Sequence, residues 1–122
     1  MESERNKFFD IAKKLSKKSN YCHQLGAVVA KKNKILGFGF NQPHKTHPKS
    51  NNRFKTIHAE LDAILGLTKE DLLGATIYVY REHKNGAPAN SKPCQYCQML
   101  IKQAGIKKVC YTDEGQFKEY VV

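Results

Sequence analysis

One stretch of the chain decides the fold: residues 75–111, with the sequence ATIYVYREHKNGAPANSKPCQYCQMLIKQAGIKKVCY. It begins with a β-rich run over 75–80, and a polar loop over 81–92 follows. Pro93 is typical of a first helical position and Gly105 of a helix C-cap, so we predict a helix between them. A second β-rich run over 107–111 completes a strand–loop–helix–strand unit.

Outward from this unit, the chain keeps alternating between the two kinds of element. Phe8, Ile11, Ala12 and Leu15 recur at helical spacing. The further predicted elements are a helix over 4–18, strands over 25–30 and 35–40, a turn over 31–34, a helix over 58–66 and a strand over 116–122. Strands separated by helices predict a mixed five-stranded sheet with helices on both faces, in one α/β domain over residues 1–122. Gly37 and Gly39 predict a bulge or a close backbone approach in the second strand.

Composition excludes several classes of protein. A chain of 122 residues with 40% hydrophobic residues suits one globular domain, and its apolar runs are far shorter than the ~18 residues of a membrane span. The first residues lack the apolar stretch of a signal peptide, so we expect a cytoplasmic protein with reduced thiols. The net charge is +10, and residues 11–59 hold 11 basic residues and no acidic one. That stretch is either a solvated surface or one that attracts phosphates, on nucleotides or on nucleic acid.

Two short motifs, each after a long loop, carry the chemistry. His58, Ala59 and Glu60 begin one predicted helix, and Cys94 and Cys97 lie at the start of another. The cysteine pair alone could be redox-active, half a zinc site or coincidence. Together with the histidine it supplies three zinc ligands, and a catalytic zinc keeps its fourth position for water. Glu60 can then accept a proton from the zinc-bound water, which is the nucleophile, and pass it on.

This arrangement, His-x-Glu followed by Pro-Cys-x-x-Cys, is the signature of the zinc nucleobase deaminases. Residues 25–111 resemble the cytidine deaminase-like superfamily. The resemblance implies a three-layer α/β/α sandwich and hydrolytic deamination. It implies that His58, Cys94 and Cys97 bind Zn²⁺ and that Glu60 is the catalytic proton shuttle. It also implies that the backbone N–H of Ala59 contacts the base carbonyl and that Asn41, which ends the second strand, holds the sugar.

Two departures from the family pattern bear on the subfamily. The loop over 81–92 is longer than in the tRNA adenosine deaminases. Only eleven residues follow Tyr111, enough for an antiparallel fifth strand, as in the free-nucleoside cytidine deaminases. Residues 42–56 lack the short sugar-binding motif of those enzymes and form a basic loop instead.

We predict that this loop binds a substrate phosphate, because it must border the pocket between Asn41 and His58. Lys45, His47 and Lys49 are the first candidates, held close by Pro48.

The sequence thus predicts a zinc-dependent deaminase of a cytosine nucleotide or nucleoside, with dCMP to dUMP as the first choice and a small-molecule substrate. One alternative is a deaminase acting on a base within RNA or single-stranded DNA. Another is a non-catalytic zinc module that binds nucleic acid. We also expect homo-oligomers, because the chain is small and its last strand is an uncovered edge.

Overall fold

The structure, a computed structural model, describes residues 2–18, 25–41, 58–82 and 87–122. Helices and strands alternate along the chain much as the sequence predicts. They are α1 (Glu2–Ser16), β1 (Leu25–Lys31), β2 (Lys34–Phe40), α2 (Ala59–Ile64), α3 (Lys69–Leu72), β3 (Thr76–Arg81), α4 (Gln95–Ala104), β4 (Lys108–Asp113) and β5 (Gln116–Val121). None of the described helices has the length and apolar character that crossing a membrane requires.

The strands form a mixed five-stranded sheet in the order β2-β1-β3-β4-β5. β1 is antiparallel to both β2 and β3, and β3 is parallel to β4. Therefore β2, β3 and β4 all run in the same direction, and the chain leaves them at one common edge of the sheet. β5 is antiparallel to β4, as predicted.

The two faces of the sheet are covered by different helices, because alternate residues of each strand point to opposite sides. Val28 and Tyr78 face α1 and pack against its apolar stripe, which includes Phe8. On the other side Val79 packs in a cluster with Ile101 of α4. That cluster also holds α2 residues, so the predicted α/β/α sandwich is confirmed.

A close approach between β2 and α2 fixes how α2 lies on the sheet. A Cβ at Gly39 would come within 2.6 Å of the backbone nitrogen of Ala63, so only glycine lets the helix lie this near. The predicted bulge is present too, because the β1–β2 register shifts between Val29 and Ala30. This packing sets the height of α2 above the sheet.

The start of α4 differs from the prediction. Pro93 does not begin the helix. Cys94 is the N-cap, with an extended backbone (φ −66°, ψ 167°), and its carbonyl accepts the N–H of Gln98 at 2.8 Å. Proline's fixed φ suits the position before the cap as well as the first turn, so the sequence alone could not separate the two. The shift puts Cys94 at the N-terminal end of the helix and Cys97 in its first turn.

Candidate functional site

Two helix starts meet at the edge of the sheet where β2 and β3 end. His58 is the N-cap of α2, and Cys94 is the N-cap of α4. Because β2 and β3 run in the same direction, the segments that follow them leave the sheet on the same side. The two motifs, more than thirty residues apart in sequence, therefore come into contact.

Three potential metal ligands converge there. Nδ1 of His58 lies 3.4 Å from Sγ of Cys97 and 3.8 Å from Sγ of Cys94. All three ligand atoms lie within 4.8 Å of one another. A tetrahedral zinc with Zn–S of about 2.3 Å and Zn–N of about 2.0 Å needs N···S separations of roughly 3.5 Å. The trio therefore fits one zinc ion without rearrangement of the backbone.

The pKa values of these three groups are shifted in different directions. Hydrogen bonds from Cys97 and then from His58 lower the pKa of Cys94 to about 4. The hydrogen bond with Cys94 raises the pKa of His58, and the hydrogen bond to Cys94, together with burial, raises that of Cys97. The N-terminus of α4 favours the Cys94 thiolate as well. Binding of a metal ion would release the protons that the raised pKa values favour on His58 and Cys97.

Glu60 lies in the first turn of α2 and is only 4% exposed. Burial raises the pKa of its carboxyl above the ordinary value, and the charge of the nearby His58 offsets only part of this increase. Among the described residues Glu60 does not belong to the ligand group. It therefore lies beside the potential metal ligands without being one of them.

A cavity of about 260 Å³ opens beside the trio. Three of the predicted substrate and catalytic residues, Asn41, Ala59 and Glu60, line it together with His58 and Cys94. The carboxamide of Asn41 is fixed, because its Oδ1 accepts the backbone N–H of Leu25 at 2.9 Å. The structure thus brings together six of the nine sequence-predicted site residues, counting Cys97 of the ligand trio. Lys45, His47 and Lys49 lie outside the described residues.

Four polar residues that line the cavity were not selected from the sequence. They are Arg81, Asn90, Ser91 and Lys92. Arg81 ends β3, and the others directly precede the Pro93–Cys94 motif. The position of Asn90, Ser91 and Lys92 directly before a metal-binding motif could have indicated these three, since residues next to a metal ligand in sequence also lie near the metal. Arg81 and Lys92 bring positive charge to this side of the cavity.

Comparison with known proteins agrees with the geometry. A family model described as the cytidine and deoxycytidylate deaminase zinc-binding region matches residues 2–113. The deoxycytidylate deaminase of Mycobacterium phage D29 is 31% identical over 130 residues, covering 88% of this chain and 93% of that protein. Against human deoxycytidylate deaminase the match covers 53% of that protein, so this chain spans about half the length of the mammalian relatives.

Solved structures show the same fold. The crystal structure of dCMP deaminase from the cyanophage S-TIM5 matches with a TM-score of 0.63 and 28% identity, covering 86% of this chain and 79% of that one. That enzyme has also been crystallised in complex with dCMP and dUMP. Cytidine deaminase from Burkholderia pseudomallei matches with a TM-score of 0.69 over 95% of this chain and 91% of that one, at 18% identity, which supports the fold alone. This chain belongs to the cytidine and deoxycytidylate deaminase family, and it is a zinc-binding hydrolytic deaminase.

Proposed function

We propose that this protein, acting as one domain over residues 1–122, converts deoxycytidylate and water to deoxyuridylate and ammonia. One observation carries the proposal: the buried carboxyl of Glu60 shares a small cavity with a His-Cys-Cys trio of zinc-compatible geometry. A purely structural zinc site has no use for such a carboxyl and is normally closed by a fourth protein ligand.

His58, Cys94 and Cys97 would hold the zinc, since their spacing suits it and the surroundings of Cys94 favour its thiolate. When bound there, zinc would activate a water molecule for attack on the ring carbon that carries the amino group. Glu60 would accept one proton of that water and deliver it to the ring nitrogen. It would then take the second proton from the hydroxyl added to the ring carbon and pass it to the departing amine, which leaves as ammonia. Its low exposure protects these transfers from bulk water.

Substrate orientation would depend on groups on either side of the trio. Ala59 lines the cavity, and its backbone N–H would donate to the carbonyl of the base. Asn41, held by its bond to Leu25, would contact the sugar. A cavity of about 260 Å³ is slightly smaller than the ~300–1,000 Å³ typical of small-molecule sites, so its size favours a single nucleotide over a larger ligand.

The 5′-phosphate would be met by cations. Lys45, His47 and Lys49 remain our candidates in the basic loop, and Arg81 and Lys92 add positive charge to the described cavity wall. A charge-assisted hydrogen bond contributes about 1.5–3 kcal/mol, which corresponds to roughly 10- to 150-fold in affinity. A nucleotide should therefore be preferred to its nucleoside by at least one such factor.

A second candidate function is deamination of a base within RNA or single-stranded DNA. The net charge of +10 favours it, because a polynucleotide backbone gains from every basic residue along its path. The dCMP-bound S-TIM5 relative and the small cavity favour the free nucleotide.

One experiment separates these functions: ammonia release from the zinc-loaded protein, measured on deoxycytidine, dCMP, CMP, and cytosine-containing DNA and RNA oligonucleotides. We expect dCMP to give the highest kcat/KM. A higher value on an oligonucleotide would transfer the function to nucleic acid. Zinc binding without ammonia from any substrate would favour the non-catalytic zinc module.

We also propose that copies of the chain assemble in a reducing compartment, the cytoplasm. No disulfide joins the three described cysteines, and a reducing compartment keeps thiols in that state. Large apolar side chains lie on the surface, among them Leu73, Met99 and Val121, which are 62%, 46% and 72% exposed. Contact between copies would remove such side chains from water.

A further inference from the structure

Two buried hydroxyl groups lie where β3 and β4 separate. The side chains of Ser91 and Thr112 are 1% and 0% exposed. Neither hydroxyl has a part in the proton transfers assigned above to Glu60. Buried hydroxyls cost stability unless they are hydrogen-bonded, so their partners indicate what they do.

The Ser91 hydroxyl stands between the two strands. Its Oγ accepts the backbone N–H of Thr112 at 2.7 Å and donates to the carbonyl of Val79 at 2.8 Å. In the parallel β3–β4 pair, the paired residues extend only as far as Val79 opposite Tyr111. The next bond of a parallel ladder would join the Thr112 N–H directly to the Val79 carbonyl. The Ser91 hydroxyl thus replaces a direct strand-to-strand bond with a bridge and holds the strands apart.

Thr112 anchors the same segment from the other side. Its Oγ1 donates to the carbonyl of Ala89 at 2.6 Å, and its own carbonyl accepts the backbone N–H of Ser91 at 2.8 Å. The N–H of Ala89 in turn donates to the carbonyl of Arg81 at 2.8 Å. Residues 89–91 are therefore inserted between the ends of β3 and β4 and bonded to both.

The anchored segment is also one wall of the cavity. Asn90 and Lys92, on either side of Ser91, line it, and Cys94 follows two residues later. The side chain of Asn90 braces the turn, because its Oδ1 accepts the backbone N–H of Lys92 at 2.9 Å. Arg81 donates to the carbonyl of Asn90 at 3.3 Å. Any shift of Ser91 would move this wall relative to Glu60 and the metal ligands.

We infer that Ser91 and Thr112 are positioning residues for the substrate: their hydroxyls set the gap between β3 and β4 and hold the wall formed by Asn90 and Lys92 in its binding position. The inference rests on the proposed function for the identity of the substrate. Thr112 is the sharper probe of the two, because Ser91 itself lines the cavity and its removal could act by direct contact.

The test compares Thr112→Val, which keeps the shape and removes the hydroxyl, with Thr112→Ser, which keeps the hydroxyl. In zinc-loaded protein we expect Thr112→Val to raise KM for dCMP about tenfold or more while kcat changes less than about threefold. Zinc content should stay at the wild-type value. Amide hydrogen exchange in residues 88–93 should be faster than in wild type. Thr112→Ser should restore both KM and exchange.

Ser16→Ala is the matched control. Ser16 is also a fully buried hydroxyl, and it donates to the carbonyl of Lys13 at 2.7 Å within α1, on the opposite face of the sheet. We expect it to lower thermal stability without changing KM or exchange in residues 88–93. The inference is overturned if Thr112→Val lowers stability as Ser16→Ala does but leaves both KM and local exchange at wild-type values.

Two further outcomes are decisive. If Thr112→Val does not fold, Ser91→Ala takes its place, and unchanged exchange at Ala89 and Thr112 in that variant overturns the inference. If wild-type protein does not act on dCMP, the proposed function fails. The exchange contrast between Thr112→Val and Thr112→Ser, measured without substrate, still supports or overturns the positioning role.

Discussion

Replacing Glu60 with glutamine should abolish turnover while leaving the fold and the zinc site in place. Glutamine keeps the size of the side chain and loses the ability to accept a proton. Glu60 provides the only carboxyl group among the described residues that line the cavity, so no described neighbour can take over its role. At 4% exposure it also cannot be replaced by buffer or bulk water.

The size of the loss follows from what the residue is asked to do. Positioned general acid–base catalysis is worth about 10²–10⁴-fold for one group. Glu60 would serve twice in each turnover, so kcat for dCMP should fall by at least about 10⁴-fold. That corresponds to about 5.4 kcal/mol at 1.36 kcal/mol per factor of ten. The assay is ammonia release under saturating dCMP, with zinc measured on the same sample.

Asp62→Asn is the matched control, since it makes the same carboxyl-to-amide change two residues along α2. Oδ2 of Asp62 accepts the backbone N–H of Phe40 at 3.3 Å, on the β2 side, and Asp62 does not line the cavity. We expect its kcat to stay within about threefold of wild type. A Glu60→Gln enzyme that keeps more than about a tenth of wild-type kcat would remove Glu60 from the reaction.

In metal-free protein, the Glu60→Gln substitution should increase stability relative to wild type as pH rises. Burial raises the folded-state pKa of Glu60, so its contribution to stability is fully present below the unfolded pKa and is lost as pH rises through the folded value. Glutamine has no such loss. Urea unfolding with chelator and reductant should show Glu60→Gln gaining on wild type between pH 5 and pH 8. A variant that instead loses ground as pH rises would contradict the assigned direction.

Three other predictions follow from the packing and the ligand set. Purified protein should bind one zinc per chain, and Cys94→Ser combined with Cys97→Ser should abolish binding while Cys110→Ser, on the α1 face, should not; zinc retained by the double variant would refute the ligand set. Gly39→Ala should push α2 away from the sheet and lower both thermal stability and kcat. Phe38→Ala in the same strand removes a side chain that is 61% exposed and should change neither by much. Thermal melts and ammonia release measure the two effects. Light scattering at tens of micromolar protein should give a mass above that of one chain, and a monomer would remove the assembly from the proposal.

Much of this fold could be predicted from local patterns. The turn between β1 and β2 was predicted between short β-rich runs, and Lys32 and Asn33 take the positive φ values, 51° and 63°, that a tight hairpin needs. Gly105 ends α4 in the left-handed conformation, with φ at 89°. Each of these features depends on a residue and its immediate neighbours, so spacing and propensity were sufficient.

The convergence of His58, Cys94 and Cys97 could also be predicted, for a different reason. His58 is 36 residues from Cys94 in sequence, and its meeting with the cysteine pair depends on the direction of the strands before the two motifs. The metal supplies the missing constraint, because zinc requires several ligands of these types and the chain offers few others. The ligand types, rather than the hydrophobic periodicity, predict that the two motifs meet.

The hydrogen bonds that anchor the remaining wall of the cavity could not be predicted. Ser91 and Thr112 are 21 residues apart, and neither type is rare or restricted to one role. Their importance comes from being buried between two strands that separate, and that separation is visible only in three dimensions. Four apolar or aromatic residues directly precede Arg81 in β3, so nothing in its immediate surroundings marks it as lining a site.

The direction of the strands explains why the loop before Cys94 can be long without disturbing the metal site. Because β2, β3 and β4 run the same way, both ligand-bearing helices begin at the edge where those strands end, and α2 and α4 are fixed there by their own packing on the sheet. Lengthening a surface loop costs little, since closure entropy grows only slowly with loop length. What must be preserved is the return of the chain to Cys94, and the bonds of residues 89–91 to β3 and β4 provide it. The wall that we propose contacts substrate is thus bonded to the sheet independently of His58, Cys94 and Cys97. Such an arrangement would let substrate preference change while the ligand trio and Glu60 stay the same.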